Sequence, residues 1–111
     1  MIELSKKEKK AARELIEKGL QKEFAKGLFD ADSVLHDWKS NKTDNITAYH
    51  TLYKTIKEFD RHIGRRYDYM KGSKYIYIIA GQLADEIISE NDLKEFNEET
   101  QKAILVLSGK K

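Results

Sequence analysis

The sequence predicts an all-α fold: a small antiparallel bundle of three to four helices, with a short helical turn between the first two long helices. Three observations predict it. Apolar residues recur at spacings of three and four through most of the chain, residues that cap helices stand where the periodic runs begin, and none of the 111 residues is proline, the strongest helix breaker. Apolar residues make up 40% of the chain, which separates it from a disordered one, while a charged fraction of 36% requires most helical faces to be solvated. The length is that of one domain, so the chain reads as a single helical domain over 1–111, with 1–4 and 109–111 frayed.

The first helix begins behind Ser5, which with Glu8 forms the S-x-x-E capping box. Ala12, Leu15, Ile16, Gly19, Leu20, Phe24, Gly27 and Leu28 then share one broad face over 6–28. Gly19 and Gly27 lie on that apolar side, where a missing side chain lets another helix approach. A break is expected at 29–33, followed by a short turn carrying Val34, Leu35 and Trp38 and capped by Asp30 or Asp32. Residues 39–44 are polar and read as a loop, with Thr43 or Asp44 as the next cap.

The second long helix carries the best periodic signal, Tyr49, Leu52, Ile56, Phe59, Ile63, Tyr67 and Met70. It is expected over 45–71, capped by Gly72, and long enough to overhang a bundle of this size. A third helix, over 74–88 behind a Ser73 cap, places Ile76, Ile79, Ala80, Leu83, Ala84 and Ile87 on one face. Its first residues, 75–79, are β-branched and aromatic and would also suit a strand paired with 103–107. The helix formers Glu98, Glu99, Gln101 and Lys102 behind an Asn97 cap argue for a helix over 98–107, which removes that partner. Residues 91–96 read as a short helical turn.

Several function classes are set aside at this level. Without cysteine there is no disulfide, no thiolate nucleophile and no cysteine-based metal site. His36, His50 and His62 fall on different elements or faces, so no metal and no cofactor is expected. Phosphate loops, nucleophile elbows, H-E-x-x-H and kinase motifs are missing, and no enzyme is expected. The first ten residues do not resemble a secretory signal, and the longest mainly apolar run, 75–83, is far short of the ~20 residues of a membrane span. A cytoplasmic location without membrane contact is the expectation.

Charge is segregated. Residues 39–74 hold nine Lys or Arg against four Asp or Glu, and 75–107 hold two against seven. On the second long helix His50, Lys54, Lys57, Arg61 and Arg65 follow one another at spacings of four, three, four and four, forming a basic ridge continued by Arg66, Tyr69, Lys71 and Lys74. Such a ridge is either a solvated helix face, a face paired with the acidic third of this or another copy, or a track for phosphates. A helix-turn-helix reading of 79–93 fails because its recognition helix would be acidic.

Two carboxylates, Glu23 and Asp60, fall on apolar faces and are expected to be buried. Each then needs an arginine, a tyrosine hydroxyl or water, and convergence of the two would mark a site. The function expected from these features is a protein–protein interaction or structural helical module that self-associates, as a homo-oligomer or with another protein. The alternative is a nucleic-acid-associated accessory protein using the basic ridge.

Overall fold

The computed structural model describes residues 3–68 and 70–110. It is all-α, with α1 at Lys6–Lys39, α2 at Asn45–Tyr67, α3 at Tyr75–Ala84 and α4 at Glu98–Ser108, and 3-10 turns at Gly72–Lys74 and Glu90–Leu93. No strand occurs among the described residues, so 75–79 is helix. The chain forms two compact units, one of Met1–Lys22 with Tyr69–Lys111 and the other of Glu23–Asp68. Helix α1 contributes its first half to one and its second half to the other.

In the first unit the capping box is formed as expected: Ser5 Oγ accepts from the Glu8 amide at 3.1 Å and Glu8 Oε1 from the Ser5 amide at 3.3 Å. The other Glu8 oxygen accepts from the Asn97 amide at 3.0 Å, and Asn97 caps α4 through the Thr100 amide at 2.8 Å. One buried carboxylate therefore ties together the starts of α1 and α4. Burial alone would raise its pKa, but hydrogen bonds from the Asn97 and Ser5 amides and the Thr100 and Ser5 hydroxyls outweigh burial and hold it below the ordinary value. Ile16, Ile79, Leu83, Leu93 and Ile104 form a fully buried core. Gly19 serves the close approach expected of it, because a methyl group there would clash with Gln82 Nε2, which donates to the Ile16 carbonyl at 3.1 Å.

The second unit is a helical hairpin. Asn41 in the left-handed region (φ 60°) and the Asp44 cap on the Thr47 amide turn the chain within 40–44. Trp38 Nε1 donates to Asn45 Oδ1 near the turn, Gly27 meets Phe59 midway, and Glu23 meets His62 and Arg66 at the far end. Partner numbers rise on one helix as they fall on the other, so the pair is antiparallel. At Gly27 an added methyl would stand 2.9 Å from the Phe59 ring, which also meets Phe24 edge-on at 5.2 Å between centroids.

Several expectations are corrected. The break at 29–33 does not exist: no proline or glycine lies there, Ser33 Oγ donates back to the Phe29 carbonyl at 3.1 Å, and Asp30 pairs with Lys26 one turn earlier at 3.5 Å. Asp30 and Asp32 are therefore interior to α1, and the short turn is its continuation. Helix α2 stops at Tyr67 rather than 71, and Gly72 opens a 3-10 turn instead of closing a helix. Ser73 lies inside that turn and is not the cap of α3, whose N-cap position is Lys74. Helix α3 ends at Ala84, because Glu86 takes a left-handed conformation (φ 60°) that leads Ile88 into the core separately. The expected fraying at 1–4 and 109–111 falls partly on residues 1, 2 and 111, outside the described residues. Of the rest, Leu4 is buried, and Gly109 closes α4 at φ 76°.

Candidate interaction surface

Within the hairpin only Glu23 and Ala48 are buried. Ile63 is half-buried and Ile56 is 47% exposed, so the apolar stripe of α2 is only partly sequestered. The reason is geometric: the apolar arc of α2 is wider than one neighbouring helix can cover.

The positions turned inward include Glu23, Gly27 and Val34 on α1 and Ala48, Leu52, Thr55 and Phe59 on α2; Ala31 is half-buried too and is followed by exposed Asp32. The residue after Glu23, Gly27, Val34, Ala48, Leu52 and Thr55 is an exposed large apolar side chain: Phe24, Leu28 and Leu35, then Tyr49, Tyr53 and Ile56. The residue before most of them is polar: Lys26 and Ser33 on α1, Thr51, Lys54 and Glu58 on α2. One residue is a rotation of about 100° in a fixed sense about the helix axis. Because the helices run antiparallel, that step points to the same side of the hairpin on both. The hairpin therefore has one apolar broad side, which Ile46 extends at 74% exposure, and one polar broad side. Exposed apolar area of this kind is uncommon on a protein without partners.

Asp60, expected to be buried, is exposed. It follows Phe59 and so continues the exposed row of Tyr49, Tyr53 and Ile56, placing a charge at the end of the apolar side. Glu23 is buried as expected, at 3% exposure, but its partners are Arg66 and His62, not Asp60. Arg66 Nη1 donates to Glu23 Oε1, His62 Nε2 lies 3.4 Å from the same oxygen, and Glu23 Oε2 is buried with no hydrogen-bond partner among the described residues. The pairing was open to sequence reasoning only in outline: His62 and Arg66 stand four apart on one face, but matching them to Glu23 required the register of the hairpin.

His50, Lys54, Lys57, Arg61 and Arg65 form the ridge the spacing predicts, and all five are exposed. Lys54 reaches Glu58 at 3.9 Å, and Lys57 lies 5.8 Å from the centroid of the Tyr53 ring. Arg66 leaves the ridge for Glu23, and Tyr69 lies outside the described residues. Among the described residues no group of three or more His, Asp or Glu side chains could hold a metal ion, and no helix is long and apolar enough to cross a membrane. Compared with protein-family models, curated proteins and solved structures, the chain matches none.

Proposed function

We propose that the chain is a protein–protein interaction module that self-associates, two copies apposing the apolar sides of their 23–68 hairpins as a four-helix bundle. The observation that carries this reading is the exposure of Phe24, Leu28, Leu35, Tyr49, Tyr53 and Ile56 along one side of an antiparallel helix pair. A second hairpin is the occupant that fits. Two helices lying side by side leave a groove that another such pair fills by ordinary ridge-and-groove packing, and a twofold contact needs only one self-complementary patch. The apolar side carries Asp60 at its end and Asp32 between Leu28 and Leu35, with Lys57 at its border over the Tyr53 ring, and Lys54, Arg61 and Arg65 lie further round α2.

Light scattering of the whole chain should give a dimer mass. Leu28→Asp with Tyr53→Asp should give a monomer with retained helical circular dichroism, each substitution weakening association by about 2 kcal/mol or more. A monomeric wild type at high concentration, in low and moderate salt, would remove the reading.

A further inference from the structure

The basic ridge borders the apolar side, His50 meeting the Tyr49 ring edge-on and Lys57 lying over the Tyr53 ring, while Lys54, Arg61 and Arg65 stand further round α2. Each ridge side chain is exposed, and among the described residues Lys54 alone has an acidic partner, Glu58 at 3.9 Å. The ridge is therefore not consumed by ion pairs within the chain. Its first and last members, His50 and Arg65, are fifteen residues apart on an unbroken helix, about 22 Å at 1.5 Å per residue. Four of the five carry permanent charge, and no acid interrupts the row; Glu58 stands at its edge and Asp60 on the other flank.

We infer that this ridge binds the phosphate backbone of double-stranded nucleic acid, without reading sequence. A row of cations about 22 Å long can neutralise several phosphates at once, and a duplex presents about one negative charge per 1.7 Å of axis. Single strands are bound largely by stacking on aromatic platforms; the nearest aromatics, Tyr49 and Tyr53, belong to the apolar side, and Tyr53 already carries the Lys57 ammonium over its ring. Contacts of this type fix position and affinity but not sequence.

The test is fluorescence anisotropy of the full chain with labelled duplex DNA, duplex RNA, single-stranded DNA and polyglutamate across a salt series. Duplex binding is expected, with log K falling against log salt at a slope of about −3 to −4, near 0.9 per phosphate neutralised. Lys54→Gln, Arg61→Gln and Arg65→Gln together should remove most of that slope. Lys26→Gln, Lys39→Gln and Lys102→Gln, with the same change in net charge at exposed positions off the ridge, should leave it unchanged. Circular dichroism and mass of both triple variants check that folding and association are intact. The inference is overturned by no duplex binding at low salt, by equal loss in the two variants, or by tighter binding of single strands or polyglutamate than of duplex.

Discussion

Glu8 shows how much a single buried carboxylate can organise when each of its oxygens finds a backbone donor. Its hydrogen bonds from Ser5 and Asn97 satisfy amides at the starts of two helices far apart in sequence. Its pKa is depressed in the folded chain, so its contribution to stability is fully present above the ordinary carboxylate range and is lost as the pH falls through the folded value. Glu8→Gln should therefore lower stability at neutral pH by about 1–3 kcal/mol and flatten the decline on acidification, as read by urea unfolding over a pH series. Gly19 has the complementary role of leaving space. Gly19→Ala gains intrinsic helix propensity, but its methyl displaces Gln82 from the Ile16 carbonyl. A net loss of about 1–3 kcal/mol is expected in the same assay.

At the scale of elements, the hairpin buries an ion pair at its far end. Arg66→Met strips Glu23 of its main partner and should destabilise the chain by about 3–5 kcal/mol, whereas Arg66→Met combined with Glu23→Leu should recover most of the loss. Thermal unfolding of the single and double variants distinguishes a register-fixing pair from a merely tolerated one. The elements themselves were legible in the sequence wherever a cap coincided with a periodic run: Ser5 with Glu8 and Asn97 cap as read, and of the two candidates Thr43 and Asp44 it is Asp44 that caps α2. Boundaries failed where polar residues imitated caps. Asp30 and Asp32 look like helix starts, but both lie inside α1, where Asp30 pairs with Lys26 and the neighbouring Ser33 bonds back to Phe29. Spacing alone put Asp60 inside, because periodicity reports which residues share an arc but not how much of that arc a neighbour covers. Ile56 and Asp60 lie on the uncovered part.

At the scale of the molecule, the two units differ in how they are held. Met1–Lys22 with Tyr69–Lys111 encloses Ile16, Ile79, Leu83, Leu93 and Ile104 completely, and Leu83→Ala should cost it about 2–5 kcal/mol. Glu23–Asp68 encloses almost nothing apolar, and helices draw most of their stability from packed faces rather than from propensity. A hairpin that depends on a second copy to cover its apolar side has a stability set by protein concentration. Amide hydrogen exchange of α2, followed over a wide range of concentration, tests this most directly. Protection at Leu52 to Ile63 should rise with concentration while protection in α3 and α4 stays constant; protection in α2 that is the same at every concentration would contradict the account.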